Sequence, residues 1–243
     1  MKIALIPIDN RPICYDLVED ILSCDKNIEL FMPDIKFLGG LQKSSDIDEI
    51  FNFLKNLSEI DYLIVSLDTI AYGGLINSRR STDDFETVKK RVEKFFRIAK
   101  TCSKKILAFS SIMRISNNNI NEEEKPYWDK FGKKIFQWSY NFDKFSKAKH
   151  NIPDEILKDY LNTRKRNFEI NKIYLKKAAD GFFDTLIFSK DDCAEFGLNI
   201  QEAKELEKLS KDLDNVNVKT GADEIPLSLI SRALLKNKKL QIN

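Results

Sequence analysis

The stretch YLIVSLDTIAYGGLINSRR, residues 62–80, indicates both the fold class and the place where a functional site would lie. It opens with a six-residue run that is apolar except for one serine, and the run stops at Asp68. A continuous run of this kind is typical of a strand buried on both faces of a parallel sheet. The glycine pair and the two arginines that follow Asp68 would then lie where the strand leaves the core.

The same kind of run recurs along the chain, at residues 3–8, 28–32, 106–113, 185–189 and 216–218. Helical patterns separate these runs, since residues 47–57 and 85–99 each place their apolar side chains on one helical face. The alternation predicts a single α/β domain over residues 1–243, built from parallel βα repeats. We expect an incomplete (β/α)8 barrel of the TIM type, because six βα units are present and a seventh is begun. On this interpretation the chain is the N-terminal part of a longer protein.

One connection is too long for a simple crossover. About 70 residues separate Met113 from Thr185, and they are rich in aromatic and basic side chains. A structureless loop of that length is uncommon in a compact domain. The sequence therefore predicts a helical insertion near residues 115–183.

Composition and charge exclude several classes of partner. With 40 basic and 38 acidic side chains, the net charge of +2 provides no field that would gather nucleic acid or an anionic membrane. No apolar run reaches membrane-spanning length, and the four cysteines show neither metal-site nor disulfide spacing. We expect a soluble, cytoplasmic protein without nucleic-acid or membrane partners.

The single histidine, His150, makes a catalytic triad improbable. Acid and base chemistry would then fall to Asp, Glu, Lys or Tyr, and any metal would be one that prefers oxygen ligands.

We expect the functional residues at the strand ends, because ligands of parallel α/β proteins bind beyond the carboxyl ends of the strands. Polar side chains and glycines follow five of the six predicted strands at that edge. The predicted binding residues are Asp9, Arg11, Asp68, Tyr72, Gly73, Gly74, Arg79, Arg114, Lys190, Asp223 and Glu224.

The adjacent carboxylates Asp191 and Asp192 are the candidate catalytic residues. Side chains of neighbouring residues at a strand end point in different directions while sharing one region, so their environments can separate their pKa values. Glycosidases use this division, with one carboxyl as general acid and the other orienting substrate or stabilising positive charge. The same dipeptide is also compatible with a helix N-cap or a pair of Mg²⁺ ligands.

Six segments, taken in order, resemble a bacterial family of proteins of unknown function, DUF4127. They are IPIDNRP, SLDTIAYGGLINSR, FSSIMR, YLNTRKRN, SKDDCAEFG and TGADE, and they extend over essentially the whole chain. The resemblance implies that most of the strand-end residues chosen above are also motif positions of the family.

A looser similarity links Asp191 and Asp192 to the paired acids of barrel enzymes that cleave N-acetylhexosaminides. It implies that Asp191 would orient the acetamido group and that Asp192 would protonate the glycosidic oxygen. The leading hypothesis is therefore a glycoside-hydrolase-like enzyme that binds a sugar-containing small molecule and uses neither metal nor cofactor. Two alternatives stay open: a Mg²⁺- or Mn²⁺-dependent hydrolase or lyase acting on an anionic substrate, and a ligand-binding module without catalysis.

Overall fold

The structure is a computed structural model that describes residues 1–142, 151–191 and 194–237. Six strands lie in these ranges: β1 (Lys2–Ile6), β2 (Glu29–Phe31), β3 (Ile60–Ser66), β4 (Ser103–Ile112), β5 (Thr185–Lys190) and β6 (Val216–Thr220). The helices of the same ranges are α1 (Asp16–Ser23), α2 (Ile47–Asn56), α3 (Leu67–Tyr72), α4 (Leu75–Arg80), α5 (Phe85–Cys102), α6 (Trp128–Tyr140), α7 (Asp154–Ala179), α8 (Leu198–Leu209) and α9 (Ile225–Asn237).

The strands form one parallel sheet in the order β2-β1-β3-β4-β5-β6. Successive strand residues point to opposite faces, so Ile3 and Leu5 pack on one side while Ala4 and Ile6 pack on the other. Both faces are buried, which explains why the strands read as continuous apolar runs. The predicted α/β class with parallel βα repeats is confirmed.

Helices cover both faces of this sheet. Apolar side chains of α1 and α9 pack on one face, whereas those of α2, α5, α7 and α8 pack on the other. Consecutive βα units of a barrel would place β2 beside β3, with helices on the outer face alone. Here β1 lies between β2 and β3. The predicted barrel is therefore not confirmed, because the chain reverses its direction of winding after β2.

The long connection between β4 and β5 contains α6 and α7, within the range predicted to be a helical insertion. Trp128 of α6 and Tyr160 of α7 belong to a separate apolar cluster beside the end of β4, and α7 also packs along the sheet. In the described ranges, no helix is both long enough and apolar enough to cross a membrane.

Candidate functional site

A cleft of about 320 Å³ lies at the carboxyl edge of the sheet. Its wall is formed by Arg11, Leu41, Leu75, Ile76, Arg114, Glu123, Asp191, Gly221, Ala222, Asp223 and Glu224. These residues follow β1, β2, β3, β4, β5 and β6, because parallel strands deliver their next segments to the same edge. Five of the predicted site residues therefore meet in one cleft: Arg11, Arg114, Asp191, Asp223 and Glu224.

Arg11 joins the first and last strands across this cleft. Its Nη1 and Nη2 donate to the two carboxylate oxygens of Asp223 at 2.9 and 2.7 Å. Its Nε donates to Asp9 Oδ2 at 2.8 Å, and the buried Asp9 also accepts the backbone N–H of Arg11 at 3.0 Å. The guanidinium is thus held between two carboxylates in the bidentate geometry that suits arginine.

Arg114 holds two further carboxylates in the cleft wall. Its Nη1 donates to Asp191 Oδ2 at 3.2 Å, and its Nη2 donates to Glu123. Asp191 directly follows β5, whereas Glu123 comes from the connection between β4 and α6. One guanidinium therefore orients carboxylates from two distant segments towards the same cleft.

Arg79 contacts Glu123 from the interior of the protein, and its side chain is only 1% exposed. Its Nη2 donates to Glu123 Oε2 at 3.3 Å, and its Nε lies 3.2 Å from Glu124 Oε1. Burial lowers the pKa of Arg79 and raises the pKa of Glu124, whose Oε1 also accepts from Ser116 Oγ at 3.0 Å. Arg79 supports the cleft from beneath, so it is not among the residues of the cleft wall.

Glu123 and Glu124 were missed at the level of sequence because neither directly follows the end of a strand. The available signal is the run of three glutamates at residues 122–124, which the long connection carries back over the strand ends. An acidic run in a connection usually reads as a solvated surface, and only the tertiary contacts with Arg79 and Arg114 distinguish this one.

The glycine pair after β3 adopts positive φ angles. Gly73 has φ of 83° and ends α3, and Gly74 has φ of 133° and precedes α4. The segment after β3 consists of the two short helices α3 and α4, which the glycine pair joins. Tyr72 is buried below them, its ring facing the Arg166 guanidinium at 5.0 Å, and burial raises its pKa. It does not form part of the cleft wall.

Lys190 and Asp68 also lie apart from the cleft wall. Lys190 ends β5 but does not line the cleft. Asp192 falls outside the described residues. Asp68, in the first turn of α3, is buried with only 1% of its surface exposed and is not among the residues of the cleft wall.

Asp68 ties β3 to β4. Its Oδ2 accepts the backbone N–H of Ser111 at 2.8 Å. Burial raises the pKa of Asp68 to about 6, although the hydrogen bonds from Ser111 and the charge of Arg79 act in the opposite direction. The residue therefore contributes to the support of the site and makes no contact with the cleft.

We expect the Asp68→Asn variant to be more stable than wild type near pH 7. Because the folded-state pKa of about 6 exceeds the ordinary value of 3.8, the stability that this group contributes is complete below about pH 3.8 and is lost as the pH rises through 6. Between these two limits the contribution of Asp68 to the free energy of unfolding changes by about 3 kcal/mol. Asparagine keeps an acceptor for Ser111 without the buried charge. Urea unfolding across this pH range measures the effect.

The opposite sign is expected of Asp61, whose pKa is lowered chiefly by the backbone N–H of Lys2. Asp61→Asn therefore serves as the control. This variant should be less stable than wild type at neutral pH, and the difference should disappear as the pH falls through the folded-state pKa of Asp61. Identical pH profiles for wild type and Asp68→Asn would contradict the assignment.

Helix α7 carries the YLNTRKRN segment, residues 160–167, and its buried polar side chains hold the segments beside the cleft. Arg164 Nη2 donates to the carbonyl oxygen of Met113, and Asn167 Nδ2 donates to that of Ser78 at 2.9 Å. Met113 immediately precedes Arg114, and Ser78 immediately precedes Arg79. Helix α7 thus fixes both arginines through the backbone.

Within the described ranges, no group of three or more His, Cys, Asp or Glu side chains is arranged to hold a metal ion. The carboxylates of the cleft are instead paired with guanidinium groups or hydrogen-bonded to the backbone.

Comparison with known proteins gives one match. The sequence model of a family described as proteins of unknown function, DUF4127, matches residues 3–243. Neither the curated proteins nor the solved structures contain a match to this chain.

Proposed function

Because the chain belongs to the DUF4127 family of proteins of unknown function, we propose a function from its strand-end cleft: a carbohydrate-active enzyme that resembles glycoside hydrolases. The observation that carries this proposal is the pair of carboxylates, Glu123 and Asp191, that share the Arg114 guanidinium in the cleft wall. Carboxylates that accept hydrogen bonds beside guanidinium groups that donate them suit the hydroxyl groups of a sugar.

The charge of the cleft supports an uncharged ring in preference to an anionic substrate. Two arginines and four carboxylates line the wall, which leaves an excess of two negative charges. Each arginine is already held by two carboxylates, so neither presents an open bidentate site to a phosphate or carboxylate. Without a metal ion, an anion would be repelled from this cleft.

The roles follow from glycoside chemistry. Asp191, ion-paired with Arg114, would orient the substrate, and Glu123 would stabilise the positive charge that develops on the sugar ring in the transition state. Asp192 would be the general acid, as the sequence predicts. Arg11 and Asp223 would hold hydroxyl groups of the same substrate.

Hydrolysis of a panel of 4-nitrophenyl glycosides tests this function. We expect release of nitrophenol from at least one neutral glycoside, with a rate that EDTA leaves unchanged. Activity that EDTA abolishes and Mg²⁺ or Mn²⁺ restores would favour a metal-dependent hydrolase instead. Sugar binding that stabilises the protein without any turnover would favour a ligand-binding module.

A cytoplasmic location remains part of the proposal. Its support is that Cys14, Cys24 and Cys102 are free thiols, as expected of a protein in a reducing compartment.

A further inference from the structure

We propose that the protein associates with a second copy of itself, and that the exposed apolar side of α1 in one copy docks into a groove beside α9 in the other. The inference does not depend on the proposed function, because it concerns two surfaces other than the strand-end cleft.

Helix α1 has a second apolar side that its own sheet does not cover. Val18 and Leu22 are buried against the sheet, whereas Leu17 and Ile21 are 39% and 46% exposed. Residues four apart lie on the same side of a helix, and Ile13, four residues before Leu17, is also 44% exposed. We call these three residues, Ile13, Leu17 and Ile21, the α1 stripe. Clustered exposed apolar side chains, unlike scattered ones, are typical of an interaction surface.

The α1 stripe is bordered by acidic side chains. Asp20 lies one helical turn from both Asp16 and Leu17, so a row of carboxylates runs alongside the apolar row. Between Arg11 and Lys26 the chain has no basic side chain that could compensate these charges locally. The α1 stripe therefore fits a surface that is apolar and positively charged.

A groove of about 740 Å³ lies on the face of the sheet that α1 and α9 cover. Helix α9 packs on β3 and β4, and the groove runs beside it over β5 and β6. Ile187 of β5 and Lys219 of β6 contribute to its floor, while Leu229 and Leu235 of α9 contribute to its wall. Leu235 is 55% exposed, so the groove presents apolar surface to solvent.

The charge and the length of the groove match those of α1. Lys219, Arg232 and Lys236 line it together with one acidic residue, Glu224, which leaves an excess of two positive charges. Helix α1 has eight residues and is about 12 Å long. The strands of the groove floor are about 16–20 Å long, so α1 can lie along them.

The charges favour contact between unlike surfaces of two copies. Two α1 stripes facing each other would bring their carboxylates together, and two facing grooves would oppose their basic residues. The terminal residues 238–243 are another candidate occupant of the groove, but they include Lys238 and Lys239 and no acidic side chain. The α1 stripe of a second copy has both the apolar side chains and the charge that the groove requires.

Sedimentation equilibrium of the full chain over a wide range of concentration tests the proposal. We expect the average mass to rise above the 28.2 kDa of one chain as the concentration increases. The stripe variant, Leu17→Asp with Ile21→Asp, should raise the dissociation constant at least about tenfold. The groove variant, Arg232→Glu with Lys236→Glu, should do the same. An equimolar mixture of the two variants should form a complex of two chains and nothing larger, because each variant keeps one of the two surfaces.

Two double variants on other exposed surfaces serve as matched controls. Ile120→Asp with Leu209→Asp removes side chains that are 54% and 51% exposed, and Lys130→Glu with Lys133→Glu reverses two exposed charges of α6. Both should leave the association unchanged. In the wild-type protein, added salt should weaken the association, because the paired charges lie at the surface.

Several results would overturn the proposal. They are a wild-type mass that stays at one chain, association that survives in either the stripe or the groove variant, and a mixture of these variants that forms no complex. Wild-type association that salt leaves unchanged would also contradict the pairing of charges. Association that appears only after deletion of residues 238–243 would assign the groove to the chain's own terminus instead of a second copy.

Discussion

The Arg164→Met variant is expected to have a free energy of unfolding about 3–5 kcal/mol lower than that of wild type. Arg164 is almost completely buried, with its Nε 2.8 Å from Glu202 Oε1 and its Nη2 donating to Glu202 Oε2 at 2.8 Å. Its removal would leave Glu202 as an unpaired carboxylate in a largely buried position. The hydroxyl of Tyr160 and the carbonyl of Met113 would also lose a donor.

Urea denaturation at neutral pH measures this loss of stability, and two further variants serve as comparisons. Arg97→Met removes an exposed arginine of α5 and should change stability by no more than about 0.5 kcal/mol. The double variant Arg164→Met with Glu202→Leu should recover most of the loss, because an apolar pair can replace a buried ion pair at little net cost. A loss below about 1 kcal/mol in Arg164→Met would show that the pair is not effectively buried.

Asp192→Asn is expected to lower kcat/KM for a glycoside substrate by about 10²–10⁴-fold, because an amide has no acidic proton to give to the leaving oxygen. The prediction uses the position of Asp192 in the chain, directly after a residue that lines the cleft. The loss should be smaller for a nitrophenyl glycoside than for an unsubstituted phenyl glycoside, since nitrophenolate leaves without protonation.

The control for this variant is Asp212→Asn, which alters an exposed aspartate between α8 and β6. It should leave kcat/KM unchanged. Full activity of Asp192→Asn, or an equal loss with both leaving groups, would remove Asp192 from the role of general acid.

Much of the site could be located from strand ends alone. Arg11, Arg114, Asp191 and Asp223 share the cleft because parallel strands carry the residues that follow them to one edge. Asp68 also follows the end of a strand in the sequence, but in the structure it does not line the cleft. Helix α3 begins immediately after β3, with Ser66 as its N-cap, and its first turn directs Asp68 towards β4 instead of the cleft.

The sequence by itself determined the parallel α/β class and the alternation of strands with helices, because burial on both faces leaves a continuous apolar run wherever it occurs. Only the tertiary structure decided the strand order and the composition of the cleft. The placing of β1 between β2 and β3 depends on the face over which each connection passes, which local periodicity does not record. The recruitment of Glu123 depends in the same way on the long connection folding back onto Arg114 and onto Arg79, which lies 44 residues earlier in the chain.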